Sequence, residues 1–194
     1  MWRRSALLYG LLMVACIGGC TTLDRKTPRT ASSALNDAES QQTALGRIWV
    51  ESAPDDPSIS AFRMLSNSLE AFAARVALAD AAEKTLDLQY FIFKDDDTGL
   101  FLADRLVTAA DRGVRVRILV DDLLAHGAEN SLAALDAHTN IELRLFNPWT
   151  QRGGLERGLE FLFAPRLNHP MHNKMFIADG IAAVLGGRNL GDEY

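Results

Sequence analysis

His172, Lys174, Gly186, Gly187 and Asn189 are the residues of this chain whose types and spacing suit chemistry at phosphorus. An imidazole can attack as a nucleophile or carry a proton, a lysine supplies a cation, and an asparagine amide donates hydrogen bonds. Paired glycines leave a gap free of side chains. Together they form a socket for a phosphodiester, and that chemistry requires no metal and no cofactor. Taken singly, each has an ordinary use: a half-exposed strand histidine, a lysine guarding an edge strand, a Gly-Gly bend. As a set, His-x-Lys with Asp179 and then Gly-Gly-x-Asn has a chance expectation of roughly 10⁻⁵ per chain at average residue frequencies. His126, His138 and His169 stand at no metal-ligand spacing and are given no role.

The elements that must position these residues read as a β-hairpin. Residues 174–178 and 181–185 are short apolar runs separated by Asp179-Gly180, a dipeptide that supplies the positive φ angles of a tight turn. A two-residue turn sets Ala178 opposite Ile181, Lys174 opposite Leu185 and His172 opposite Gly187. Alternation along each strand then puts His172, Lys174, Gly187 and Asn189 on one face. Asp179 falls in the turn, roughly 23 Å along an extended strand from His172. That distance predicts a turn-stabilising or interface role for it.

Upstream, residues 60–83 repeat apolar positions at helical spacing. A strand is expected from Leu86 to Ile92, a helix over 98–112 capped by Asp97 or Thr98, and a strand over 114–120 ending at Asp121-Asp122. A helix over 132–138 capped by Asn130 or Ser131, and a strand over Ile141–Phe146, follow. Strand-helix-strand-helix-strand implies an α/β fold, a largely parallel β-sheet flanked by helices and ending in the hairpin. Asp121 and Asp122 lie where such sheets bind ligands, and a turn-capping role is favoured over a ligand role by about two to one. Residues 147–170, with Arg152, Arg157 and Arg166, suit either an anion-gripping loop or a short packing helix.

The chain has 194 residues, a formal net charge of −5 and 48% hydrophobic residues, enough for a real core and a poor balance for a general nucleic-acid binder. Arg3 and Arg4 precede an apolar run over 6–17 and then Gly18-Gly19-Cys20, the layout of a secretory signal too short to span a bilayer comfortably. Residues 17–20 resemble a bacterial lipobox, with lipidated Cys20 as the mature N-terminus. An uncleaved anchor and an ordinary signal are the alternatives. Thr21 then points to the outer membrane, with the protein facing the periplasm. Residues 1–19 are thus expected to be a lipoprotein signal peptide, 20–58 a flexible tether rich in Thr, Ser, Ala, Asp and Pro, and 59–194 the folded domain.

On His172, Lys174, Asp179, Gly186, Gly187 and Asn189, the sequence resembles the phospholipase D superfamily. MHNKMFIADG, GGRNLGDEY, DLQYFIF and RGVRVRILVDD look like its bacterial cardiolipin synthase and related lipoprotein branch. The resemblance covers about residues 60–194. It implies a phosphohistidine mechanism on phospholipid, with a second histidine from another motif copy protonating the leaving oxygen. It also implies that Asp179 is counted within the catalytic motif, and that a carboxylate orienting the histidine lies beyond Asn189. One motif copy is present, so the sequence reads as an N-terminal fragment whose partner is a missing second half or a second copy of itself. A periplasmic nuclease or other phosphodiesterase, and an inactive lipid-binding module, are the rival readings.

Overall fold

The computed structural model describes residues 31–54, 56, 58–125, 127–149, 160 and 169–194. Residues 1–19, expected to be a signal peptide, and Cys20, His126, Arg152, Arg157 and Arg166 lie outside the described residues. Among the described residues the elements are, in order, α1 (Asp37–Gln41), α2 (Ala44–Ser52), α3 (Ser68–Ala81), β1 (Thr85–Tyr90), α4 (Asp97–Asp111), β2 (Arg115–Asp121), α5 (Glu129–Asp136), β3 (Ile141–Phe146), β4 (Lys174–Ala178) and β5 (Ala182–Leu185).

The five strands form one sheet in the order β3-β2-β1-β4-β5. β1 pairs with β2, and β2 with β3, in parallel; β4 runs antiparallel to both β1 and β5. The sheet is therefore mixed, a parallel half with the hairpin added on the other side of β1. Leu86, Leu88 and Tyr90 alternate with half-buried Asp87 and Gln89 on β1. With Val116, Ile118 and Val120 of β2 and Phe176 of β4, they join Leu102, Leu106, Leu132 and Leu135 from the helices in one core.

The α4 cap is Asp96 rather than Asp97 or Thr98, and α5 begins at Glu129 behind Ala128 without the side-chain cap expected from Asn130 or Ser131. β1 ends at Tyr90 rather than Ile92. Two longer stretches also differ from the sequence reading. Residues 37–52, expected within a tether, form α1 and α2, because local capping outweighs their polar composition. Asn36 and Glu39 close a capping box, and the Thr43 hydroxyl accepts from Gly46 N. Tertiary contacts hold the pair: Ala44 N donates to Glu83 Oε2, and Ser40 is buried against the hairpin turn. The helix expected over 60–83 begins only at Ser68, where the Asn67 side chain accepts from Glu70 N. Phe62 and Met64 consequently stand exposed, at 91% and 87%.

The hairpin keeps its turn chemistry and changes its register. Asp179 and Gly180 adopt φ values of 51° and 68°, and Ile181 N donates to Ala178 O at 3.0 Å. The ladder nevertheless pairs Ala178 with Ala182 and Phe176 with Val184, leaving Ile181 outside it. In the expected register Ala183 would have faced Phe176. The observed one puts Val184 there, only 7% exposed, and leaves Ala183 exposed. Burying two more carbons on the core face is worth about 1.6 kcal/mol, which outweighs an ideal two-residue turn.

Candidate functional site

The slipped register separates the motif residues that simple alternation had put on one face. Met175, not Lys174, faces Leu185, and Gly186 N approaches Lys174 O at 3.4 Å. Gly187 and Asn189 therefore fall on the opposite parity from His172 and Lys174, and the face expected from the hairpin count does not form. The chain instead leaves the ladder at Gly186, whose φ of 151° favours glycine. It then crosses the end of β4 and reaches β1. There Asn189 Oδ1 accepts from Ile92 N at 3.2 Å, Leu190 N donates to Ile92 O, and Leu190 bridges Phe93.

That crossing brings the residues together by another route. Tyr90 pairs with Lys174, and the next residue, Phe91, meets the His172 ring, while Ile92 binds Asn189. His172, Lys174 and Asn189 thus converge at the carboxyl end of β1, the end at which parallel sheets carry their sites. Lys174 is buried, and its Nζ donates to His172 O at 3.0 Å. An ammonium has three donors, so two remain for an anion. Burial lowers the Lys174 pKa from the ordinary lysine value. The Asn189 amide is buried, and with its oxygen committed to Ile92 its Nδ2 is the donor end. His172 is exposed, and neither ring nitrogen has a hydrogen-bond partner among the described residues.

Phe91 and Arg75 support the site without having been visible as site residues in the sequence, and Asp121 and Asp122, read there chiefly as turn caps, support it as well. The Phe91 ring lies 5.0 Å from the His172 ring and 5.2 Å from Lys174 Nζ. Buried Asp121 caps its own turn at Leu123 N and also accepts from Met171 N at 2.5 Å, tethering the residue before His172. Asp122 accepts from Trp149 N at 2.7 Å. Buried Arg75 of α3 donates to Tyr90 Oη at 2.9 Å, to Ala71 O, and to Arg188 O inside the Gly-Gly-x-Asn segment. The alternation in residues 87–93 carried the only signal for Phe91; nothing local announced Arg75.

Gly186 and Gly187 are exposed, and a Cβ added at either would meet nothing within 4 Å. They line a groove of about 480 Å³ with Phe62, Met64, Arg75 and Leu185. Asp179 occupies the other end of the sheet. Fully buried, its carboxylate accepts from Glu83 N (3.0 Å), Lys84 N (2.8 Å) and Thr85 N (2.9 Å), binding the hairpin turn to the start of β1. His138 pairs with Asp111 at 3.1 Å, far in sequence from the motif. No helix among the described residues is long and apolar enough to cross a membrane.

Comparison with known proteins adds kinship to this geometry. The family described as "Cardiolipin synthase, PLD-like domain" matches residues 76–194. Cardiolipin synthase C of Escherichia coli strain K12 is 51% identical over 131 residues, 67% of this chain and 27% of that protein. An uncharacterized protein of Helicobacter pylori is 37% identical over 184 residues, 94% of this chain and 36% of that protein. This chain thus spans between a quarter and two fifths of the length of these relatives. Among solved structures, NucT from Helicobacter pylori aligns with a TM-score of 0.48 at 18% identity, covering 64% of this chain and 70% of that one.

Proposed function

The chain belongs to the cardiolipin synthase-like branch of the phospholipase D superfamily, and from that premise we propose that it carries one half of a phospholipid phosphatidyltransferase or phosphodiesterase site. In this reading His172 attacks phosphorus as the neutral imidazole, a P–N bond forms, and the P–O bond to the leaving alcohol breaks. The departing oxygen takes its proton from a second imidazole, supplied by another motif-bearing half or by a second copy of the chain. An acceptor alcohol, or water, then attacks the phosphohistidine: a new P–O bond forms, the P–N bond breaks to free the neutral His172 imidazole, and the attacking hydroxyl's proton returns to that second imidazole. Lys174 and the Asn189 amide hold the non-bridging oxygens, where positive charge and donors oppose the charge that builds in the transition state. Gly186 and Gly187 leave room for substrate. Asp179 serves the site from a distance, by anchoring β4 to β1.

The convergence of His172, buried Lys174 and the Asn189 amide at the end of β1 is the observation that supports this reading most. The sequence resemblance supports the remaining parts. Cys20 is proposed as the lipidated N-terminal residue of a periplasm-facing protein, which would hold the site near its substrate. The deciding experiment follows phospholipid turnover by the complete protein and by its His172→Ala variant. Turnover should be lost in the variant, because nucleophile and P–N intermediate vanish together. Turnover that survives His172→Ala would assign the chemistry to other residues.

A further inference from the structure

Phe91 is where the two reactive side chains of the motif meet. Its ring is tilted 57° to the His172 imidazole at a centroid distance of 5.0 Å, inside the range of favourable aromatic pairs. Lys174 Nζ lies 5.2 Å from the same ring, close enough for attraction between an ammonium and the negative face of the π system. The alternatives available to both side chains are few. The His172 ring has no hydrogen-bond partner among the described residues, and Lys174 Nζ has one, the His172 carbonyl. An exposed imidazole without such a contact would divide its time among several rotamers, and a lysine head would follow solvent. Phe91 is itself held in place: it follows β1, and its neighbour Ile92 is bound through both N and O by the segment containing Asn189.

We propose that Phe91 is a positioning residue of this site, its ring seated against the His172 imidazole and the Lys174 ammonium so that the two present one geometry to a phosphoryl group. The role needs an aromatic face, not bulk: leucine fills a similar volume without the quadrupole, whereas tyrosine keeps it. The inference rests on the reading of His172 and Lys174 as a phosphoryl-binding pair, and its test separates the two.

The full chain, labelled at histidine, is titrated with inorganic phosphate while the His172 ring signals are followed by NMR, assigned by their disappearance in His172→Ala. Saturable movement of the His172 signals is expected in the wild type. Phe91→Leu should weaken phosphate by about tenfold, the combined size of one aromatic pair and one cation–π contact, and Phe91→Tyr should restore it to within about twofold. If Phe91→Leu does not fold, Phe91→Met is read in the same way. Phosphate affinity in the leucine or methionine variant within about twofold of wild type, or a tyrosine variant as weak as leucine, overturns the proposal. A response abolished by Lys174→Ala but untouched by Phe91→Leu sinks the role of Phe91 alone. A wild-type chain whose His172 signals ignore phosphate sinks it together with the phosphoryl-site reading.

Discussion

Replacing Asp179 by asparagine tests whether this motif residue acts by structure or by chemistry. Its carboxylate accepts three backbone N–H groups, from Glu83, Lys84 and Thr85, of which the Thr85 donor is buried and the other two are part-buried. Hydrogen bonds to a charged acceptor contribute about 1.5–3 kcal/mol each, and the lower figure suits the two that water can reach. Asparagine tolerates the positive φ of 51° and keeps one oxygen, enough for the Lys84 and Thr85 donors. It loses the charge and turns an N–H₂ group towards Glu83 N. A loss of about 2–3 kcal/mol is expected, a sizeable part of the roughly 5–15 kcal/mol that holds a domain together. Alanine would lose all three bonds and add strain at that φ, for a total of about 6–8 kcal/mol. Urea denaturation followed by tryptophan fluorescence measures the difference, with an unchanged slope showing that only stability moved. Below its transition, the asparagine variant should bind phosphate at His172 as the wild type does. A change under about 0.5 kcal/mol, or full stability with lost phosphate binding, would refute the anchoring argument.

Other consequences are equally direct. Burial lowers the Lys174 pKa, so its charge is complete below that pKa and disappears as pH rises through it; phosphate affinity should fall on the alkaline side earlier than for an ordinary lysine. Lys174→Arg should move that limit upward, and a pH titration of phosphate binding reads both. Tyr90→Phe leaves Arg75 Nε without its acceptor at 2.9 Å and should cost about 1–2 kcal/mol in the same urea experiment. Cys20→Ser should abolish incorporation of labelled palmitate and leave the precursor unprocessed; incorporation that persists would remove the lipobox assignment.

Residue chemistry and local pattern are legible in a chain without its fold, and here they delivered the motif, the strand-helix alternation and the distance of Asp179 from His172. Strand β3 and the positive φ values of the Asp179-Gly180 turn were local facts, dictated by side-chain alternation and backbone sterics. The hairpin register was not, because it depends on whether Val184 or Ala183 faces Phe176, a question settled only once a core exists to bury one of them. The same slip removed Asn189 from the expected face, and the crossing of residues 186–190 to β1 returned it to the site through a bond to Ile92, 97 residues away. Asp121 could be read as a turn cap, yet its second bond, to Met171 N, spans 50 residues and exists only in the folded sheet. Arg75, Tyr90 and Phe91 joined the site for the same reason. Local sequence sets which conformations a segment prefers, whereas burial and long-range hydrogen bonding choose among them when the segments meet.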